Sequence, residues 1–136
     1  ARTPLTARIL QGGSTTIVTT IATVTTQPGD LGAETEVCQL PADAEGRVAL
    51  TAWVGLLRER AYNEILVEAG PTLAGAMLRE GWVDRLVVYQ APKLLGDAAR
   101  PMAIMAVDAL AEAIELNITE VTRLDTDLRI IATPRM

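Results

Sequence analysis

A stretch in the middle of the chain places an amphipathic segment between two short apolar runs, and few folds accommodate this order. The run at residues 65–67 is followed by turn-forming residues, which favours a short strand buried on both faces. Pro71 then stands where proline often begins a helix, so we expect a helix over residues 71–80 that closes at Gly81. A second apolar run predicts a strand over residues 84–89. The pattern therefore predicts a strand–helix–strand unit whose strands run parallel with a right-handed crossover.

The rest of the chain predicts further strands and one more helix. β-branched residues favour strands because their stiff side chains fit a pleated surface. Strands are predicted over residues 14–26, 36–40, 114–124 and 128–133. The last two flank a turn at residues 125–127 and are expected to form a hairpin. Apolar residues at spacings of three and four predict a helix over residues 50–61, which we expect Asn63 to close in a left-handed conformation.

The composition indicates one globular domain and excludes several classes of active site. Hydrophobic residues make up 49% of the 136 residues and charged residues 21%, a globular balance rather than a disordered one. The longest apolar runs are far shorter than the roughly 20 residues that a membrane helix needs. Histidine is absent, which excludes a Ser-His-Asp triad, a Cys-His dyad and a histidine metal site within this chain. The net charge of −5 argues against nonspecific nucleic-acid binding.

Cysteine occurs once, as Cys38. It cannot form an internal disulfide or a multi-cysteine zinc site. With no histidine to activate it, Cys38 is interpreted as a small packed residue rather than a nucleophile. One thiol and no secretory signal indicate a reducing, cytoplasmic setting. The chain begins with Ala1 and not Met, so we expect it to be a piece of a longer polypeptide.

Several signals of a binding site meet at the start of the predicted helix at residues 71–80. Glu68 ends the apolar run, and Gly70 lets a ligand or another backbone approach closely. The unpaired N–H groups and positive dipole end of the helix then favour a phosphate or pyrophosphate. The same residues also fit a purely structural turn, in which Gly75 and Ala76 pack the helix against the sheet. The role of Glu68 also has more than one interpretation. Its carboxylate could bind ligand hydroxyls, interact with the helix N-terminus or lie at the solvated surface.

Two motifs resemble one known family. They read ILVEAGPTLAGA at residues 65–76 and VDRLVVYQAPKLLG at residues 83–96. Both are similar to the reductase domain of the bifunctional riboflavin-biosynthesis deaminase/reductase. Arg85 is the one clear departure, because the family pattern usually has Glu there. The similarity is specific over about 32 residues by the motif rules, and it extends more weakly from the lead-in at Thr3 and Pro4 to Ala132.

The resemblance implies an α/β fold like that of dihydrofolate reductase, with a mixed sheet, flanking helices and a C-terminal antiparallel hairpin. It implies NADPH-dependent reduction of the ribose of 5-amino-6-(5-phosphoribosylamino)uracil to the ribitylamino product. The cofactor carries this chemistry, so no histidine is required. Glu68 would contact the substrate sugar. The residues implied to hold the NADPH phosphates are Gly70, Pro71, Thr72, Leu73, Ala74, Gly75 and Ala76.

The resemblance also implies what these residues lack and how they assemble. The family's deaminase half has a zinc site of His and Cys, which this composition excludes, and no metal is expected. We expect residues 1–136 to be a single domain, the C-terminal part of a pyrimidine reductase domain without its first strands. A sheet edge exposed in this way invites pairing, so a homodimer is expected. A related pteridine or pyrimidine reductase, or a non-catalytic α/β assembly module, remains an alternative.

Overall fold

The computed structural model describes residue 4, residues 6–20 and residues 34–135. The chain divides into two compact units between Ile65 and Leu66. The elements in chain order are a 3-10 turn (Arg8–Leu10), β1 (Thr15–Thr19), β2 (Thr35–Gln39), α1 (Leu50–Glu59), α2 (Pro71–Arg79), β3 (Leu86–Gln90), a second 3-10 turn (Leu110–Glu112), β4 (Glu115–Leu124) and β5 (Asp127–Arg135). Two α-helices occur with a parallel pair of strands and an antiparallel sheet, which confirms the predicted α/β class. Within the described ranges no helix is long and apolar enough to cross a membrane.

The first unit contains a parallel pair of strands and one helix. β1 and β2 pair in register from Thr15 opposite Thr35 to Thr19 opposite Gln39. The strand predicted over residues 14–26 is therefore confirmed for β1, whereas residues 21–26 lie outside the described part of the chain. α1 begins at the predicted residue, and its polar last turn ends it two residues early.

The end of α1 differs from the sequence prediction. Ala61, and not Asn63, adopts the left-handed conformation, with φ 56°. The N–H of Ala61 donates to the carbonyl of Arg58, and the N–H of Tyr62 donates to that of Leu57. These bonds close the helix as soon as its last turn is complete, so the left-handed position falls before Asn63 is reached.

The second unit is built on a three-stranded antiparallel sheet in the order β3-β5-β4. The predicted hairpin is confirmed, because β4 and β5 are joined by a two-residue turn in which Asp125 has φ 55°. A β-bulge lies between Ile118 and Glu120 on β4. Ala132, which pairs with a residue on each side, is only 1% exposed. The middle of β5 is therefore the most buried part of this sheet.

The predicted strand at residues 65–67 does not form. These residues belong to no strand and pair with no described strand, and Leu66 is 83% exposed. β3 pairs antiparallel with β5 instead, so the predicted parallel strand–helix–strand unit is wrong for this structure. An apolar run becomes a strand only when a neighbour supplies hydrogen bonds along its edge, and the run itself carries no information about that neighbour.

α2 confirms the predicted helix and its closing glycine. Gly81 has φ 74°, its N–H donates to the carbonyl of Leu78, and the N–H of Trp82 donates to that of Met77. This is the same pair of closing bonds that Ala61 makes possible at the end of α1. Glycine adopts this conformation without the clash that a Cβ introduces, so the two helices end in the same way at different conformational cost.

We expect Ala61→Gly to stabilise the protein and Gly81→Ala to destabilise it, each by roughly 0.5–1 kcal/mol. The first change relieves the Cβ clash of a left-handed residue, and the second introduces it. Urea unfolding followed by circular dichroism measures both differences in the free energy of unfolding. Two changes of the same sign would contradict this account of the helix ends.

Candidate functional site

The first turn of α2 presents hydrogen-bond donors that no residue in the described part of the chain uses. Gly70 is the residue before the helix, with φ −72° and ψ 169°, and no side chain caps this end. Pro71, the first helical residue, has no N–H to offer. The N–H groups of Thr72 and Leu73 find no acceptor among the described residues, whereas the N–H of Ala74 donates to the carbonyl of Gly70 at 3.1 Å. Two free donors at the positive end of a helix dipole suit an anion.

The two glycines of this segment have opposite surroundings. A Cβ added at Gly70 would meet no atom within 4 Å, and its φ lies in a region open to any residue. A Cβ added at Gly75 would lie 2.7 Å from the carbonyl carbon and 2.9 Å from the amide nitrogen of Ile104. Gly70 therefore leaves open space beside the free donors, whereas Gly75 is required by the packing of another part of the backbone.

The other predicted site residues fall on either side of this turn. Glu68 is exposed, and its carboxylate makes no hydrogen bond or ion pair with the residues that the structure describes. Leu73, in the first turn, is 39% exposed. The remaining small residues of the helix, Ala74 and Ala76, are half-buried. The predicted segment is thus continuous and accessible at its N-terminal end.

A second polar cluster, which sequence reasoning missed, lies in the first unit. The Nη2 of Arg60 is 2.6 Å from Oε2 of Glu36, and its Nη1 donates to Oγ1 of Thr16 at 2.7 Å. The Sγ of Cys38 donates to Oε1 of Glu36 at 3.1 Å. Parallel pairing sets Thr16 opposite Glu36, and Arg60 joins them from the end of α1. No local motif signals this cluster, because its members are brought together only by strand register and by where the helix ends.

Glu36 and Cys38 alter each other's proton affinity. The hydrogen bond from Cys38, followed by the one from Arg60, lowers the pKa of Glu36 below its usual value. The hydrogen bond to Glu36, assisted by burial, raises the pKa of the Cys38 thiol. The thiol is therefore held in its protonated form, which is the less reactive form. This supports the interpretation of Cys38 as a packed residue and argues against a nucleophile.

Metal chemistry finds no support in the described part of the chain. Within those ranges, no three side chains of His, Cys, Asp or Glu are arranged to hold a metal ion.

Comparison with known proteins identifies the family. The model of the RibD C-terminal domain matches residues 1–130. The chain belongs to the RibD C-terminal domain family. The RibD protein of Escherichia coli K12 is 40% identical over 96 residues, which are 70% of this chain and 26% of that protein. A 5-amino-6-(5-phosphoribosylamino)uracil reductase of Buchnera aphidicola from Acyrthosiphon pisum is 26% identical over 94 residues, 68% of this chain and 45% of that protein.

Solved structures of RibD proteins share the fold. A crystal form of Acinetobacter baumannii RibD matches with a TM-score of 0.75 at 30% identity, over 98% of this chain and 35% of that one. The riboflavin biosynthesis reductase Rib7 of Saccharomyces cerevisiae matches with a TM-score of 0.65 at 16% identity, over 92% of this chain and 53% of that one, which bears on the fold alone. The predicted dihydrofolate-reductase-like class is confirmed. The chain spans about a quarter of the E. coli relative and about a third of the A. baumannii one.

We expect Glu36→Gln to increase the rate at which iodoacetamide alkylates Cys38 at mildly alkaline pH, by roughly three- to tenfold. Loss of the carboxylate removes the main cause of the raised thiol pKa and leaves Arg60 to favour the thiolate. The pH at half-maximal rate should therefore move down. Glu34→Gln is the matched control, because it removes a nearby charge that makes no hydrogen bond to Cys38. Equal rates for both variants and the parent would show that Glu36 does not control the thiol.

Proposed function

We propose that this chain is a reductase part of a riboflavin-biosynthesis enzyme. The reaction is the reduction of the ribose of 5-amino-6-(5-phosphoribosylamino)uracil to a ribitylamino chain, with NADPH as the cofactor. One relative carries the name of this reductase. The observation that carries the proposal is the accessible pair of N–H groups in the first turn of α2, beside the open space at Gly70. When bound, the cofactor would supply the hydride, and the protein would supply binding and orientation.

The segment from Gly70 to Ala76 would hold the cofactor phosphates. The N–H groups of Thr72 and Leu73 would donate to phosphate oxygens, and the helix dipole would add a favourable field. Gly70 would let a phosphate approach the main chain, because no side chain occupies the space beside it. Pro71 would contribute by fixing the start of the helix without blocking a donor. Ala74 and Ala76 would keep the turn free of bulk, and Gly75 would maintain the packing behind it.

Glu68 would bind the sugar of the substrate. It lies three residues before Pro71, the first residue of the helix, it is exposed, and no described residue satisfies its carboxylate. A carboxylate accepts hydrogen bonds from two neighbouring hydroxyls, as an opened ribose would offer them. We also propose that the protein acts in the cytoplasm and that residues 1–136 belong to one reductase domain.

Isothermal titration with NADPH tests the cofactor site. We expect Gly70→Val to weaken binding at least about tenfold, because its side chain would fill the space that a phosphate needs. The backbone at Gly70 accepts valine and no atom lies within 4 Å of the new Cβ, so the fold should be unchanged. Glu68→Gln should leave NADPH affinity unchanged and raise KM when the phosphoribosylamino-uracil is added and NADPH oxidation is followed.

Gly12→Val is the matched control, because Gly12 is also surrounded by open space and has no left-handed conformation. If Gly70→Val bound NADPH as tightly as the parent chain, the proposal that this turn holds the cofactor phosphates would be refuted. Absence of binding by a folded parent chain would favour a non-catalytic assembly module. Oxidation of NADPH by a dihydropteridine and not by the pyrimidine would replace the proposed substrate.

We also propose a twofold homodimer, formed through β4. This strand is an edge of its sheet, and Leu116, Ile118 and Val121 share one face of it. Each is more than 40% exposed. The bulge between Ile118 and Glu120 interrupts regular edge pairing, so contact between the apolar faces of two copies would provide most of the interface. Burial of such an apolar stripe favours association.

Sedimentation velocity over a range of concentrations tests the dimer. The parent chain should sediment as a dimer, and Ile118→Lys should shift it toward a monomer because burial of an unpaired ammonium is costly. Asn117→Lys, on the opposite face of the same strand, is the control and should leave the dimer intact. A clean monomer of the parent at high concentration would contradict the proposal.

A further inference from the structure

The backbone around Ile104 lies directly on the first turns of α2. Its N–H donates to the carbonyl of Pro71 at 2.9 Å, and its main chain occupies the space where Gly75 lacks a side chain. Pro71 and Gly75 are four residues apart, so they lie on the same face of the helix. The segment at residues 101–105 therefore crosses α2 at the end that carries the free N–H groups.

Within the described part of the chain, this contact is the only main-chain hydrogen bond between the long irregular segment at residues 91–109 and an α-helix or strand. The other main-chain bonds of this segment are local: Lys93 donates to Ala91, Ala99 donates to Gly96, and Glu112 of the following 3-10 turn donates to Ala109. A Cβ at Gly75 would meet backbone atoms, which cannot move aside as the end of a flexible side chain can. The position of residues 101–105 thus depends on the missing side chain of Gly75.

The anchored segment presents apolar side chains to solvent. Ile104 is 52% exposed and Met102 is 61% exposed. Leu73, in the first turn of α2, is also partly exposed. A dinucleotide site needs both polar donors for its phosphates and apolar surface for its rings, since ligand pockets are mostly apolar with a few convergent polar groups. The donors at the start of α2 provide only the first of these.

We propose that residues 101–105 form an apolar wall of the cofactor site, with Ile104 packing against a heteroaromatic ring of the dinucleotide. Gly75 acts as a positioning residue, because its lack of a side chain lets the wall lie against α2. This inference rests on the proposed function, since it takes the first turn of α2 as the phosphate site. It adds a second, non-contiguous segment to that site and gives Gly75 a role separate from direct phosphate contact.

NADPH titration of Ile104→Ala tests the wall. The change removes exposed apolar atoms and leaves the main-chain hydrogen bond to Pro71, so the fold should be retained and Kd should rise about fivefold. Titration with adenosine 2′,5′-bisphosphate shows which ring is involved. Equal weakening of both ligands identifies the adenine, and weakening of NADPH alone identifies the nicotinamide. If Ile104→Ala left Kd unchanged while Gly70→Val abolished NADPH binding, the apolar wall would be refuted and the proposed phosphate site would stand.

Amide hydrogen exchange with Gly75→Ala tests the positioning role. The N–H of Ile104 should lose its protection while the amides in the middle of α2 keep theirs, and Kd for NADPH should rise roughly tenfold. Gly55→Ala is the matched control, because Gly55 lies within α1 with open space around it and should leave Kd unchanged. Uniform loss of protection throughout α2, or unchanged affinity with lost protection at Ile104, would refute the positioning role. A parent chain that binds no NADPH would refute both this inference and the proposed function.

Discussion

Hydrogen bonding along both edges of β5 is the constraint on which the second unit depends. β3 pairs with one edge of this strand and β4 with the other, so each outer strand has a single described partner. Ala132 lies between Leu86 and Ile118 in the register and is almost completely buried. β3 reaches β5 only after the irregular segment at residues 91–109 and the whole of β4. The hairpin is therefore a local contact, whereas pairing of β3 with β5 closes a long loop at a higher entropic cost.

The elements that the sequence predicts well are those determined by nearby residues. Pro71 and Gly81 mark the two ends of α2, and the turn at Asp125 joins two β-branched segments into a hairpin. The prediction of a strand at residues 65–67 is wrong because strand formation depends on a distant partner. Apolar character permits a strand, but hydrogen bonding to a neighbouring strand is also needed. The predicted end of α1 is wrong by two residues in the position of its left-handed residue. Asn63 tolerates the left-handed conformation better than alanine does, yet the closing bonds fix that position at Ala61.

The same distinction applies to the sites. Free donors at the start of a helix follow from the helix boundary, so Thr72 and Leu73 were accessible to sequence reasoning. The cluster around Arg60 was not, because it requires the register of two parallel strands separated by many residues. The contact between Ile104 and Gly75 was missed for a similar reason. The sequence suggests close packing at Gly75, but the partner is an irregular loop rather than the predicted sheet.

The two glycines of the segment at residues 70–75 show how one small-residue motif serves two physical purposes. Gly70 tolerates a side chain in the isolated protein, since nothing lies near it and its backbone is unstrained. A glycine that the fold does not need is explained if a ligand must come close to the main chain there. Gly75 is needed by the fold itself, because the main chain of Ile104 occupies its side-chain space. The motif thus combines a glycine with open space beside the free donors of α2 and a glycine whose side-chain space is filled by another part of the chain.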